Sequence, residues 1–365
     1  MPLLPEVVVT PIIAFCVAVL GMPLLNRFAV RAGFVDMPSS RKIHSHPIPV
    51  LGGLAVYGGV IVALALRGQM DSRVTLMMFA SFLVMLLGVA DDRLDLHSRY
   101  RLLLQVILAT GLSVSGVRFH LIPEPFEILD HLITVLWVVG VINAMNCLDC
   151  ADGVAGGTCA VAFLLLGMLA AANGRYFISQ ASFAGLGAVL GFLVFNFPPA
   201  RVFLGDAGST FLGLMIAVLA ILAQPHSSAQ WQLPTAPFVL VVPVLDIVWV
   251  HYRRYVAGIR SVRDLLSSTG KDHLPHRLMT RGLSKPAVTA VVTFLTGLAA
   301  CAVSSLNLGL WIVAAMAFLA LVAFLWHVEE NSEVVIRAGD GVAIYQLRAK
   351  PASLKSALHH EEGVA

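Results

Sequence analysis

Residues 72–101 read S-R-V-T-L-M-M-F-A-S-F-L-V-M-L-L-G-V-A-D-D-R-L-D-L-H-S-R-Y-R. From Val74 to Ala90 no charged side chain interrupts the run, and Asp91 and Asp92 then follow at once. At about 1.5 Å per helical residue, such a run reaches nearly across a hydrocarbon core of about 30 Å. The stretch therefore reads as a membrane span that ends in water on a pair of carboxylates.

Similar runs recur in both directions along the 365-residue chain, which is 58% hydrophobic and 12% charged. A soluble domain carries about 25% charged residues, and the mean hydropathy here is +0.85. The spacing gives eleven spans, at 7–25, 50–66, 74–90, 102–121, 129–148, 158–172, 179–197, 208–224, 235–251, 287–304 and 309–327. The sixth is short enough to tilt or to be partly re-entrant. Backbone polar groups cannot face lipid unpaired, so the spans must be helices. The expected fold is an all-α integral membrane bundle of about eleven transmembrane helices over residues 1–327, with a short tail at 328–365. The first run has no basic leader or small-residue cleavage site and reads as a retained helix.

Twenty of the 24 Lys and Arg residues fall in alternate loops and the tail, while Arg67, Arg73, Arg118 and Arg175 fall on the other side. By the positive-inside rule the N-terminus lies outside and the C-terminus is cytoplasmic. Five cysteines lie in or beside apolar runs, an odd number that argues against a disulfide framework. Cys147 and Cys150 form a C-x-x-C without the second ligand pair that zinc would need.

The polar clusters gather on the cytoplasmic side. They are Asp91, Asp92 and Asp95 after the third span; Asn143, Asn146, Asp149 and Asp152 at the end of the fifth; Asp206 in F-L-G-D-A-G-S-T-F; and His273 and His276 in K-D-H-L-P-H-R-L. An aspartate pair at a helix C-terminus opposes the helix dipole, which favours a functional reading over a mere helix end. Asn143, Asn146 and Asp149 run along one helical flank, where they could also seal a helix contact. The Asp152-Gly153 and Gly156-Gly157 pairs suggest a tight turn that lets backbone approach a ligand. Asp206 reads either as a helix cap or as an oxygen ligand. Oxygen donors without a matching Cys/His set favour Mg²⁺, with Mn²⁺ as the alternative. His273 and His276 alone would read as solvated loop residues. Arg41, Lys42, His44, Arg99, Arg101 and Arg277 supply the opposite charge, and such groups also anchor to anionic lipid.

Between Asp36 and Leu283 the chain resembles the polyprenyl-phosphate N-acetylhexosamine-1-phosphate transferases, the WecA- and TagO-like members of glycosyltransferase family 4. Five motifs in order carry the resemblance: R-K-x-H-x-x-P-x-P-x-x-G-G from Arg41, D-D-R-x-D from Asp91, N-x-x-N-x-x-D-x-x-D-G from Asn143, F-x-G-D-x-G-S from Phe203, and the histidine loop from His273. The resemblance implies a UDP-N-acetyl sugar donor, undecaprenyl phosphate as acceptor, UMP as by-product and a Mg²⁺ requirement. It implies a multi-pass protein of the bacterial inner membrane, in contact with lipid and not nucleic acid, with a homodimer left open. Residue by residue, it places Asp206 and Asn146 on the metal and Asp91 or Asp92 at the reaction. Asn143, Asp149, Asp152, Gly153, His273, His276 and Arg277 fall at the nucleotide-sugar, and Arg41, Lys42, His44 and Arg99 at the lipid phosphate. The chain departs from the pattern at Pro275, which stands for a histidine, and at Cys150, which stands for a glycine.

Two other classes fit less well. A transporter of an anionic solute would hold its polar groups near the bilayer midplane, whereas these clusters lie at the cytoplasmic span ends; Asp246, about one turn and a half inside the ninth span, is the exception, as a partner for Arg253 or Arg254 or as part of the site. A CDP-alcohol phosphotransferase would need D-G-x-x-A-R, whereas V-A-G-G follows Asp152-Gly153.

Overall fold

The computed structural model describes residues 4–38, 46–94, 96–123, 125–224, 239–256, 258–261, 265, 269–307, 316, 320, 323–324, 328, 333–338 and 341–346. In chain order the elements are α1 (Leu4–Ala32), β1 (Val35–Asp36), β2 (Ile48–Pro49), α2 (Gly52–Leu66), α3 (Ser72–Leu94), α4 (Ser98–Val114), α5 (Ile128–Leu148) and α6 (Val154–Ala172). Then follow α7 (Tyr176–Asn196), α8 (Gly205–Leu222), α9 (Val241–Val256), β3 (Thr269–Gly270), α10 (Leu274–Thr280), α11 (Lys285–Asn307), β4 (Glu333–Ala338) and β5 (Gly341–Gln346). Among the described residues six helices are long and apolar enough to cross a bilayer, namely α1, α3 and α5 to α8. The apolar helices α2 and Lys285–Cys301 of α11 are shorter.

The bundle is organised around α8. Every residue from Ala207 to Leu222 is buried, as expected of a helix apolar all round. It packs against α3, α5 and α2. Outside this centre, α1 lies against α7 and α2, and α11 against α6 and α9. Leu20, Leu24 and Phe28 of α1 and Leu132 and Leu136 of α5 point outward and are exposed, an apolar perimeter that a lipid phase would cover.

Small residues and a few internal hydrogen bonds hold the helices together, as in other membrane bundles. A Cβ on Gly208 would stand 2.8 Å from the Cα of Gly53, and one on Gly88 would stand 2.6 Å from the Asp206 carbonyl carbon. These two approaches bring α2 and α3 onto the first turn of α8. Thr10 Oγ1 donates to Gln180 Oε1 at 2.6 Å, joining α1 to α7, and Trp137 Nε1 donates to the Ala217 carbonyl at 3.1 Å, joining α5 to α8.

Ten of the eleven expected spans contain a helix, and the eleventh, 309–327, falls largely outside the described residues. Several boundaries move. α4 begins at Ser98, so Arg99 and Arg101 are helical and not part of the preceding loop. α6 begins at Val154, so Gly156 and Gly157 are in the helix and only Asp152-Gly153 is a turn. The reason is packing: a Cβ at Gly156 would meet Leu193 at 2.7 Å, so these glycines serve helix contact. The fold is also not purely helical. β1 pairs with β2, and in the tail β4 and β5 pair antiparallel, with β4 also pairing with β3, Thr269 opposite Arg337 and Gly270 opposite Ile336.

Candidate active site

The C-terminal ends of α3, α5 and α7 and the N-terminal ends of α6, α8 and α11 meet at one end of the bundle. Between them lies a cavity of about 390 Å³ lined by Asp92, Asn146, Asp149, Asp152 and Asp206, together with Asp36, Asn196, Lys271, His276 and Lys285. All five expected motifs thus contribute at least one residue to one space, Val50 from the first of them and His276 from the last.

The first turn of α8 is its structural centre. Gly205 adopts φ +75°, a conformation that suits glycine, and the turn exposes the helix's first N–H groups. Asp92 receives them: the Asp206 N–H donates to Oδ1 at 3.1 Å and the Ala207 N–H to Oδ2 at 3.4 Å. Asp206 lies beside it, and Arg101 Nη1 donates to Asp206 Oδ2 at 2.9 Å while also pairing with Asp91. Asp91 accepts the Leu96 N–H as well. The aspartate pair therefore divides: Asp92 faces the cavity and Asp91 lies behind it, anchoring Arg101. One turn along α8, Ser209 Oγ donates to Asn146 Oδ1 at 2.9 Å, which brings Asn146 to the same turn as Asp206.

Asp149 caps α5 at the cavity wall. Burial, with the carboxylates of Asp206, Asp92 and Asp152 adding to it, holds its carboxyl well above the usual carboxylate range. Asp152 is bound by the Ala200 N–H at 3.2 Å and by Lys285 Nζ at 2.9 Å. The Gly153 N–H, at φ +74°, donates to Asn196 Oδ1 at 2.9 Å. Gly153 thus supports the wall and does not line it.

Several expected site residues lie elsewhere. Asn143 is one turn deeper, donating to Gln105 Oε1 at 2.7 Å. Arg99 is exposed on α4, donating to the Tyr100 hydroxyl at 3.0 Å. His273 and Arg277 are buried behind the cavity, where both pair with Asp246 at 2.8 Å. Asp246 is thus a partner of the histidine loop, and Arg254 pairs instead with Asp272. Of the loop, His276 and Lys271 face the cavity. Burial, helped by the charges of His273 and Lys271, lowers His276 to about 4, so it is a neutral imidazole at neutral pH. Arg41, Lys42 and His44 lie outside the described residues; Asp36 and Val50, on either side of them in the sequence, line the cavity.

Sequence reading missed Lys271 and Lys285 as site groups, and named Arg101 only among the basic residues of opposite charge to the clusters. Lys271 sits in the long polar segment between two spans and Lys285 just before one, the same signature as a solvated or lipid-anchoring residue. The donors that line the cavity suit a hard cation, since Asp92, Asn146, Asp149 and Asp206 offer oxygen alone. Among the described residues no three carboxylate, imidazole or thiol groups stand so as to hold an ion by themselves. Mg²⁺ does not need them to, because it is usually bound by one or two carboxylates with waters and substrate phosphates. The residues present fit such an ion.

A polytopic helical protein with an acidic, cation-rimmed cavity at one end of its bundle is thus defined. Residues 74–224 match glycosyl transferase family 4. The chain is 31% identical over 307 residues to a probable undecaprenyl-phosphate N-acetylglucosaminyl 1-phosphate transferase of Bacillus subtilis, covering 81% of this chain and 84% of that one. It is 30% identical over 308 residues to the undecaprenyl-phosphate alpha-N-acetylglucosaminyl 1-phosphate transferase of Haemophilus influenzae, with the same coverage. To the Yersinia pestis protein of that name it is 25% identical over 287 residues, covering 75% and 77%. The chain belongs to glycosyl transferase family 4.

Proposed function

We propose that the protein transfers N-acetylglucosamine 1-phosphate, or the 1-phosphate of a related N-acetyl sugar, from its UDP derivative to undecaprenyl phosphate, releasing UMP. The observation that carries this reading is the convergence of Asp92, Asn146, Asp149, Asp152, Asp206 and the histidine loop on one cavity. The reaction suits that cavity, because phosphoryl transfer asks chiefly for positioning and charge neutralisation.

A phosphate oxygen of the lipid attacks the β-phosphorus of the donor. The new P–O bond forms as the bond to the bridging oxygen breaks, and that oxygen leaves with its electron pair on UMP. The attacking phosphate is already ionised at neutral pH, so no strong base is needed. Asp206 and Asn146 would hold Mg²⁺, which supplies charge neutralisation at the phosphates. Lys271 and Lys285 place positive charge at the same wall. In this reading the attack is direct and no phospho-aspartate forms, while Asp92 holds the first turn of α8 and Asp91 holds Arg101. The cavity opens to the cytoplasm in this reading, following the charge asymmetry of the loops.

The decisive experiment uses purified full-length protein, undecaprenyl phosphate and Mg²⁺ with a panel of UDP-sugars, reading UMP release. Release with one N-acetyl sugar names the donor. No release with any of them overturns the assignment.

A further inference from the structure

The histidine loop divides into a layer that faces the cavity and a layer pinned behind it, and one carboxylate on α9 holds the second. Asp246 is 4% exposed. Its Oδ1 accepts from the Leu274 N–H and from Arg277 Nη2, and its Oδ2 pairs with His273 Nδ1, all three at 2.8 Å. The His273 imidazole also contacts the Cys147 thiol, one residue beyond Asn146 in the last turn of α5. Beside this set, Arg254 of α9 grips Asp272 through Nε and Nη2, each at 2.8 Å. Residues 272, 273, 274 and 277 are therefore fastened to α9, while Lys271 and His276 are left at the cavity wall.

α10 has seven residues and no local side-chain cap. A helix that short has little stability of its own, so its rotation about its axis is set by what grips it. Asp246 grips it at the first N–H and one turn later. Neither Leu274 nor Arg277 lines the cavity, whereas His276, about 200° from Leu274 around the helix, does.

Building on the transferase reading, we propose that Asp246 is a positioning residue for the nucleotide-sugar: it seats α10 so that His276 and Lys271 meet the donor, while His273 and Arg277 never touch it. Asp246 thereby governs donor binding and leaves acceptor binding alone.

The test measures kcat and KM for UDP-N-acetylglucosamine and for undecaprenyl phosphate on the detergent-solubilised full chain with Mg²⁺, alongside the thermal midpoint. Asp246→Asn should raise the donor KM roughly tenfold or more, the scale of one charged hydrogen bond, with the acceptor KM unchanged. Asp246→Glu should recover part of that loss. Arg277→Gln removes a single grip and should move the donor KM in the same direction by less; it decides the matter if Asp246→Asn does not fold. His276→Ala should raise the donor KM with no change in the thermal midpoint, as a contact residue would. A lowered midpoint with an unchanged donor KM in both Asp246→Asn and Arg277→Gln makes the cluster merely structural and overturns the proposal. Equal effects on both KM values overturn it too. If the wild-type protein releases no UMP, the transferase reading itself fails and takes this proposal with it.

Discussion

Asp92 and Asp206 illustrate how side chains at this site combine structural and chemical duties. Asp92 accepts the first N–H groups of α8, and Asp206, carried on that same turn, shares Arg101 with Asp91. Replacing Asp206 by Ala should cut kcat on the order of 10²-fold or more, the usual cost of removing one preorganised electrostatic group, with little change in the thermal midpoint. Asp91→Asn should instead act mainly through Arg101, with a smaller fall in kcat, and a comparison of the two in the UMP-release assay checks the division. The histidines differ just as sharply. Burial works against the charge of His273, but the Asp246 carboxylate and the Cys147 thiol outweigh it and push it up to about 10. The folded protein therefore holds a proton there that the unfolded chain loses above about pH 6.5, so this contribution is full below that pH and is lost as pH rises toward 10. His276, lowered to about 4, has the opposite sign: the unfolded chain binds the proton first, so stability rises with pH from about 4 to 6.5. From these two groups the thermal midpoint should peak near pH 6.5, which a melting series from pH 4 to 10 checks. The aspartates of the site were legible because carboxylates at span ends are anomalous. The split between His273 and His276 was not, since it depends on Asp246, twenty-seven residues away from His273.

At the scale of elements, the site is assembled by capping across the chain. None of α2, α6, α8 and α10 has a side-chain cap from its own N-cap residue. Their first N–H groups go instead to distant partners: Gly52 and Gly53 to the carbonyls of Phe203 and Leu204, Gly153 to Asn196, Asp206 to Asp92, and Leu274 to Asp246. Sequence motifs for local caps cannot announce such an arrangement, which is why helix starts moved by a few residues although ten of the expected runs contain a helix. Asn196 is the clearest case, since Oδ1 takes the Gly153 N–H and Nδ2 donates to the Val202 carbonyl at 2.8 Å. Asn196→Ala should destabilise the fold by about 1–2 kcal/mol, the cost of a lost cap, and lower the thermal midpoint. Two glycines of α2 make a second contrast. Gly53→Val drives its side chain into the backbone of α8 and should give little monodisperse protein, whereas Gly58 has open space and should accept Val. Size-exclusion profiles of the two variants would decide it.

For the whole molecule, the alternation of helix ends places the described site elements at one pole, and the proposed orientation turns that pole to the cytoplasm. An impermeant thiol reagent on intact cells should therefore label Arg175→Cys directly, and Arg201→Cys only after permeabilisation, in a variant lacking Cys16 and Cys301. Labelling of position 201 in intact cells would reverse the proposed orientation. Bundle architecture was legible because apolar length and charge asymmetry are properties of single segments. The sheet formed by β3, β4 and β5 was not, because it joins residues more than sixty positions apart with only two residues of β3 as its seam. That seam couples the order of synthesis to the completion of the segment that leads into the histidine loop. The ribosome makes residues 333–346 after every helix named here, so β3, which leads directly into Lys271, has no neighbour until those residues emerge. A stop codon after residue 332 would spare the bundle yet leave Thr269 and Gly270 without their strand partner, so that the grips of Asp246 and Arg254 would have to hold the loop from the side of α9.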